Sequence, residues 1–362
     1  MSLPELWFLA VAVLFAGYFF LEGFDFGVGA LLPVLGRDDT DRRVMINTIG
    51  PVWDANETWL IVAGAAMFAA FPEWYATLFS GFYLPLLLIL LALIGRGVAF
   101  EYRGKVDSVS WRRRWDVAIV VGSVLPSVLW GVAFANIVRG VPIDAEANFT
   151  GTLFTLLNPY GLLGGLVTFT LFLTHGAVFL SLKTHGEIRD RARALAWKIG
   201  LVAAVLAVAF LAWTTLAFGS TASGVVSVAA ALAFMLALGA GVTARERAAF
   251  VLSGATILLA VASLFVALFP DVMPSTTDPA YSLTIENASS TTYTLTIMTW
   301  VALLSLPVVL AYQGWTYWVF RARVGRDAIP PAHRLPAAPP SFVPAQGRGG
   351  RWALRSGADS AP

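Results

Sequence analysis

The sequence predicts an all-α, polytopic membrane protein. Apolar runs of roughly 18 residues or more recur along the chain, and its 362 residues are 58% hydrophobic but only 13% charged. Helices and closed barrels are the structures that satisfy every backbone polar group in lipid. The short alternating segments that indicate a barrel are missing from the sequence. We therefore expect several helices that cross the membrane.

Composition excludes several classes of function. The formal net charge is only +2, so nothing indicates a nucleic-acid partner. The chain has no cysteine, which excludes disulfides, thiolate metal sites and thioether haem attachment. The three histidines, His175, His185 and His333, leave few nitrogen ligands for a metal. The N-terminus lacks a basic region and a small-residue cleavage site, so the first apolar segment is expected to stay as a span.

Apolar runs and their lengths predict nine spans. In chain order they cover 5–35, 52–70, 75–100, 115–138, 158–183, 195–218, 222–243, 247–269 and 291–320. Basic residues cluster in alternate connections, near 37–43, 96–114, 183–198 and 245–247, and again from 321 onward. The positive-inside rule then places the N-terminus outside and the C-terminus in the cytoplasm.

Two regions follow from this pattern. Residues 1–320 are predicted to form the transmembrane domain. Residues 321–362 are rich in Pro, Ala, Gly and Arg, which is typical of a segment that cannot bury a core. We expect this cytoplasmic tail to be disordered.

Acidic residues distinguish the first span. Tyr18, Glu22 and Asp25 recur at spacings of four and three, so they share one face of the helix. Gly23 and Gly27 lie on an adjoining face and allow another helix to approach closely. A carboxylate at mid-membrane depth costs about 2.5–3.5 kcal/mol on insertion scales, so we interpret Asp25 as a proton-relay group and Glu22 as a supporting charge. The alternative is an acid tied structurally to a neighbouring helix.

A second acidic group lies where the second span begins. Asp54, Glu57 and Trp59 fall within its first two turns. We interpret them as an acidic entrance, with indole at its edge, that collects protons and passes them to Asp25. Capping of the helix is the alternative role for Asp54, because the helix dipole favours an acid in the first turn.

Charges of the third and fourth spans lie at the same depth. Arg96 ends the third span and Asp116 begins the fourth. They either pair with each other, or Arg96 acts electrostatically on Asp25 or Asp54. Snorkelling at a helix end is a further alternative for Arg96. His175, inside the fifth span, is either a haem ligand or a donor of a hydrogen bond between helices.

The sequence contains no phosphate-binding glycine loop, nucleophile elbow or zinc-binding spacing. This pattern indicates a chain that works beside a cofactor-holding partner, or a transporter. A proton-coupled secondary transporter with Asp25 as its coupling acid is the main alternative, although the paired broken helices of such proteins are missing. A third alternative is a structural, lipid-embedded partner whose acids are inert.

Ten short motifs occur in a fixed order in the first part of the chain. They are Gly23-Phe-Asp-Phe-Gly-Val-Gly29, Leu35-Gly-Arg-Asp-Asp-Thr-Asp-Arg-Arg43, Met45-Ile-Asn47, Trp53-Asp54, Phe79-Ser-Gly-Phe-Tyr83, Phe100-Glu-Tyr-Arg103, Trp111-Arg112, Trp115-Asp116, Gly131-Val-Ala-Phe134 and Gly140-Val-Pro142. In this order they resemble subunit II of the cytochrome bd-type quinol oxidases. The motifs are dense over 15–142, the span count agrees to about 320, and the tail lies outside the resemblance.

The resemblance implies a bacterial inner-membrane oxidase that oxidises quinol and reduces oxygen to water. In that family subunit I supplies two b-type haems, one d-type haem and the quinol site. Subunit II has two four-helix bundles plus one peripheral helix and packs along subunit I. The resemblance leaves open a structural quinone, bound lipid and a small single-span accessory subunit.

The resemblance also implies roles for particular residues on a proton path from the cytoplasm. The matching positions are Asp25, Asp54, Trp59, Arg96 and Asp116. The first two match path carboxylates, the third matches a tryptophan at the path entrance, and the last two match charges beside the path. Glu57 departs from the family pattern and adds a second acid at the entrance.

Overall fold

The apolar stretches form helices, because a chain in lipid must satisfy its own backbone hydrogen bonds. The computed structural model describes residues 1–329. Within that range the helices, in chain order, are α1 (Leu3–Ala30), α2 (Leu32–Leu35), α3 (Asp39–Ile49), α4 (Trp53–Ala70), α5 (Pro72–Gly81), α6 (Tyr83–Tyr102), α7 (Val109–Arg139), α8 (Leu153–Leu156), α9 (Pro159–Lys183), α10 (Glu187–Ala217), α11 (Thr221–Val242), α12 (Glu246–Leu268) and α13 (Thr292–Val319). Strands β1 (Asp271–Met273) and β2 (Leu283–Thr284) pair antiparallel between α12 and α13.

In the described part of the chain, eight helices are long and apolar enough to cross a membrane. These are α1, α6, α7 and α9 through α13. The predicted span 52–70 is also helical, as α4, but its first two turns carry Asp54, Asn56 and Glu57. Those polar residues lower the mean hydropathy of α4 below that of the eight helices named above. The all-α membrane class is therefore confirmed, and a ninth crossing depends on α4.

Two predicted spans each contain two helices, because each is interrupted close to a proline. Span 5–35 divides at Leu31 into α1 and α2, and span 75–100 divides at Phe82 into α5 and α6. Pro33 and Pro85 follow these breaks. A proline has no N–H and its ring clashes with the carbonyl four residues earlier, so each ends the preceding helix.

Other helices extend beyond the predicted spans. α7 begins at Val109, where the Ser108 hydroxyl accepts from the backbone N–H of Trp111 at 3.4 Å. α10 begins at Glu187, eight residues before its predicted span at 195. The basic connection after α2 contains α3, which Asp38 caps by accepting from the N–H of Asp41 at 2.8 Å. Apolar runs predict the length of helix in lipid, whereas a capped helix continues into polar surroundings.

α1 is the central helix of the described structure and contacts α4, α7, α9 and α12. It crosses α9 where Gly27 lies against Gly176, so closely that a Cβ on either glycine would meet backbone atoms of the other helix. The predicted close approach at Gly27 is therefore confirmed. α6 packs on α7, α9 on α10, and α11 on α12.

The chain beyond α13 forms a C-terminal segment, 320–329, that lies against three other elements. Val324 donates its N–H to the carbonyl of Lys183 at 2.8 Å. Arg323 pairs with Glu246 at 3.0 Å. Arg326 pairs with Asp38 and Asp41. The rest of the predicted tail, 330–362, lies outside the described residues.

Candidate functional site

The polar face of α1 is entirely inside the protein. Tyr18, Glu22 and Asp25 are fully buried. Because Gly27 brings α9 against the opposite side of α1, the acids face α4, α6 and α7. The hydroxyl of Tyr18 accepts from the indole of Trp130 at 3.2 Å, which joins this face to α7.

Asp25 is held by a single amide. Its Oδ2 accepts from Nδ2 of Asn56 on α4 at 2.7 Å. Its Oδ1 is buried and has no hydrogen-bond partner among residues 1–329. Asn56 is itself fully buried, and its Oδ1 accepts from Tyr317 at 2.6 Å. Asp25 therefore keeps one oxygen available for a proton.

Arg96 joins two further acids into a cluster beside Asp25. The guanidinium is fully buried, and its Nη2 donates to both carboxylate oxygens of Glu22 and, at 3.5 Å, to Oε2 of Glu57. Its cation lies 4.5 Å from the ring centroid of Phe26. This group contains one arginine and three carboxylates, Glu22, Asp25 and Glu57, so it carries a net negative charge when all three acids are ionised.

A glycine makes this position of Arg96 possible. A Cβ on Gly122 of α7 would lie 2.6 Å from Cβ of Arg96 and 2.7 Å from the carbonyl oxygen of Ala92. Any larger residue would therefore push α7 away from α6. Arg96 is buried instead of snorkelling, because Glu22 supplies a partner inside the protein.

Glu57 and Asp54 lie at the start of α4. The Glu57 side chain is 21% exposed, so it links the buried cluster to the surface. Asp54 is exposed and forms no ion pair among residues 1–329. Val52 occupies the N-cap position and no side chain caps α4, so Asp54 does not cap this helix by a hydrogen bond. Its place in the first turn still suits the helix dipole.

Asp116 belongs to a separate charged group. It accepts from Nε of Arg103 at 2.5 Å and from Arg42 at 2.9 Å. Arg103 also donates to Asp39 at 2.7 Å. Burial lowers the pKa of Arg103, but the hydrogen bonds that Arg103 donates to Asp116 and Asp39, together with their negative charges, outweigh burial and raise that pKa above its ordinary value. The alternative in which Arg96 pairs with Asp116 is thus wrong. Arg96 binds Glu22, whereas Asp116 binds Arg103 and Arg42.

Trp59 lies further along α4 than the acids. Its Nε1 donates to Oε1 of Gln313 at 2.9 Å. Its ring fills the space beside Gly17, where a Cβ would collide with the indole. The indole therefore points toward α1 and α13.

Three polar residues of the site were not predicted: Asn56, Gln313 and Tyr317. Gln313 is a polar residue inside the apolar helix α13, and such an exception can be noticed in the sequence, whereas Asn56 lies among the other polar residues at the start of α4. Tyr317 carries no such signal, because tyrosine is common near the ends of membrane helices.

His175 makes the hydrogen bond between helices that was one of its two expected roles. Its Nδ1 lies 2.8 Å from the hydroxyl of Ser253, and its ring stacks on Phe250 with centroids 4.9 Å apart. These contacts join α9 to α12. Among residues 1–329 no three His, Asp or Glu side chains are grouped to hold a metal ion.

Comparison with known proteins gives a consistent family. The family described as cytochrome bd terminal oxidase subunit II matches residues 3–320. The chain is 48% identical over 330 residues to cytochrome bd ubiquinol oxidase subunit 2 of Bacillus subtilis (strain 168), covering 89% of this chain and 97% of that protein. It is 38% identical over 364 residues to cytochrome bd-I ubiquinol oxidase subunit 2 of Escherichia coli (strain K12), covering 90% and 96%.

The fold agrees with these sequences. A chain of the bd oxidase from Geobacillus thermodenitrificans superimposes with a TM-score of 0.70 at 17% identity, covering 88% of this chain and 99% of that chain. With eight apolar helices among residues 1–329, the protein is a multi-pass protein of the bacterial inner membrane and part of an oxidoreductase complex. The chain belongs to the family of subunit II of the cytochrome bd-type terminal quinol oxidases.

Proposed function

We propose that this chain, as subunit II of a quinol oxidase, delivers protons from the cytoplasm to a haem-bearing subunit I. That partner would supply two b-type haems, one d-type haem and the quinol site, and would carry out electron transfer. Reduction of one oxygen molecule to two waters consumes four electrons and four protons. Quinol oxidation supplies the electrons, so a buried route for protons is required.

The observation that carries the proposal is the buried carboxylate of Asp25, one oxygen of which has no hydrogen-bond partner in the described part of the chain. A carboxylate buried in a membrane protein, with a free lone pair, accepts a proton readily and releases it again. The amide of Asn56 cannot carry a proton, so its role is to hold Oδ2 of Asp25 in place.

The proton route is proposed to begin at Asp54 and Glu57 and to reach Asp25, with Glu22 as a supporting charge beside it. Glu57 is partly exposed, and Glu22 lies one helical turn from Asp25 on the same face of α1. Arg96 keeps its proton throughout, since guanidinium does not deprotonate in proteins. It instead supports the route by neutralising Glu22 and approaching Glu57.

Trp59 and Asp116 are proposed to act from the edges of this route. Trp59 would fix the α13 side of the route through its bond to Gln313. Asp116, with Arg103 and Arg42, would set the charge of the surface from which protons enter.

The proposed membrane arrangement has nine crossings, with α4 as the second, the N-terminus outside and the C-terminus in the cytoplasm. The alternation of basic connections supports it. We also propose two four-helix bundles, α1, α4, α6 and α7 in the first and α9–α12 in the second, with α13 peripheral. Contacts between α6 and α7, α9 and α10, and α11 and α12 support that grouping.

The family resemblance extends the proposal to lipid, a structural quinone and a small single-span accessory subunit. For the quinone, the space available in the described structure is an apolar cleft of about 1170 Å³ between α1, α12 and α13.

Affinity purification tests the proposal. The tagged chain, purified from native membranes in mild detergent, should bring a larger subunit with b- and d-type haem bands in the reduced-minus-oxidised spectrum. Asp25→Asn in that complex should keep the bands and lose most quinol-dependent oxygen consumption. A colourless chain without a partner would contradict the oxidase role and favour transport assays. Full oxygen consumption by the Asp25→Asn complex would contradict proton delivery through this residue.

A further inference from the structure

α13 contributes two polar side chains to the surroundings of Asp25, although it is otherwise barely packed. Leu295 and Gln313 are its only buried residues. A cleft of about 1170 Å³ lies between α13 and helices α1 and α12. Packing alone does not explain why this helix directs the side chains of Gln313 and Tyr317 toward the protein interior.

Specific bonds hold the helix at both ends. At the first end, Nε1 of Trp7 donates to the carbonyl of Leu295 at 3.2 Å and to the hydroxyl of Thr299 at 3.0 Å. At the other end, just beyond Tyr317, the ammonium of Lys183 donates to the carbonyls of Phe320 and, at 3.0 Å, Ala322. The register of α13 is therefore fixed against α1 at its first end and against the end of α9 just beyond Tyr317.

Hydrogen-bond chemistry then fixes the direction of each bond around Asn56. An ionised Asp25 only accepts, so the Asn56 amide turns Nδ2 toward Asp25 and Oδ1 away from it. Oδ1 needs a donor in this buried place, and the hydroxyl of Tyr317 supplies one at 2.6 Å. Nε2 of Gln313 lies 3.4 Å from the same oxygen.

Gln313 is oriented in the same way. Nε1 of Trp59 only donates, so at 2.9 Å it holds Oε1 of Gln313 and leaves Nε2 to face Asn56. Tyr317 and Gln313 thus keep Asn56 in the single orientation in which it donates to Asp25. Without the phenol hydroxyl, only the longer bond from Nε2 of Gln313 would hold Oδ1 of Asn56, so the amide would be positioned less firmly toward Asp25.

We propose that Tyr317 is a positioning residue for Asp25 and acts on it through Asn56. This inference rests on the proposed function of Asp25 as a proton relay. It gives α13 a part in the proton route that its exposed surface does not suggest. Gln313 supports the same amide with a longer bond.

Tyr317→Phe in the assembled oxidase tests this role, because it removes only the hydroxyl. Turnover per haem at saturating quinol should fall about three- to tenfold, because the loss of one ordinary hydrogen bond changes an activation free energy by about that factor in rate. KM for quinol should stay unchanged, since the quinol site is elsewhere. Tyr312→Phe is the matched control, because Tyr312 is on the same helix but 64% exposed, and it should leave turnover unchanged.

Infrared difference spectroscopy separates positioning from general damage. The carboxyl band of Asp25, assigned by its loss in Asp25→Asn, should shift in Tyr317→Phe and stay in place in Tyr312→Phe. Suppose that Asp25→Asn is inactive but Tyr317→Phe keeps wild-type turnover and an unshifted band. That result would contradict the positioning role of Tyr317 and leave the proposed function of Asp25 intact. Full turnover in Asp25→Asn would overturn the proposed function, and the positioning role with it.

Discussion

The amide of Asn56 donates to Oδ2 of Asp25 across 2.7 Å and so ties the first turn of α4 to the interior of α1. Both side chains are fully buried. The bond satisfies one carboxylate oxygen, and the other has no hydrogen-bond partner within residues 1–329. A site of this kind combines a fixed position with an open place for one proton.

Asn56→Ala should therefore impair turnover more than Tyr317→Phe does. It removes the donor to a buried carboxylate, which is worth about 1.5–3 kcal/mol when a charged group is involved. We expect turnover per haem to fall about 10- to 100-fold, with KM for quinol unchanged. Thr58→Ala serves as the control, because Thr58 is exposed on the same helix. Equal turnover in the Asn56→Ala and Thr58→Ala enzymes would contradict the role of Asn56.

Arg96 is predicted to stabilise the complex through Glu22. Arg96→Leu leaves Glu22 buried without its cation, a change that costs about 3–5 kcal/mol. Thermal unfolding of the purified complex should show a much lower midpoint than wild type. The double variant Arg96→Leu with Glu22→Leu should recover part of the loss, because neither charge is then left alone.

Arg114→Gln is the control for this pair, since Arg114 is exposed. Its midpoint should match that of wild type. If the losses of stability in Arg96→Leu and Glu22→Leu simply added in the double variant, the two residues would be energetically independent. That result would contradict the observed contact between them.

The crossing of α1 and α9 is predicted to tolerate no side chain. Gly27→Ala would place a Cβ against backbone atoms of Phe172 and Gly176, and such overpacking costs about 1–3 kcal/mol. Gly239→Ala is the matched control, because a Cβ there has nothing within 4 Å. The yield and melting midpoint of the complex should fall for the first variant only. A normal midpoint for Gly27→Ala would indicate that the helices are further apart than they are here.

The C-terminal segment is predicted to loosen at acid pH. A hydrogen bond from Arg326 holds the pKa of Asp38 below its ordinary value of 3.8. A lowered pKa means that Asp38 contributes stability above the ordinary carboxyl range and loses it as pH falls through the lowered value. The midpoint difference between wild type and Asp38→Asn should thus shrink from pH 6 toward pH 3. A difference that stays constant over that range would exclude this ion pair as its source.

The membrane class and the burial of Asp25 could be predicted from the sequence, because both follow from local composition. Apolar runs must be helical in lipid, and an acid inside one is an exception with few explanations. Helix ends were predicted less well. Pro33 and Pro85 interrupt helices without interrupting the apolar run, and the N-terminal part of α7 is helical but polar.

The partners of the charged residues could not be predicted, because depth in the membrane does not determine which face of a helix meets which neighbour. The span boundaries predict a similar membrane depth for Arg96 and Asp116. In the structure, however, Arg96 faces Glu22, whereas Asp116 faces Arg103 and Arg42. The bond from Tyr317 to Asn56 joins residues 261 positions apart, a distance over which sequence spacing carries no information.

Proton uptake is the measurement that tests the central claim most directly. Wild-type and Asp25→Asn complexes, each with a full haem spectrum, would be reconstituted in proteoliposomes and supplied with quinol and oxygen, with a pH indicator on the side corresponding to the cytoplasm. The proposed relay predicts rapid proton uptake by wild type and a loss of most uptake and oxygen consumption in Asp25→Asn. Wild-type rates of both in Asp25→Asn would contradict it.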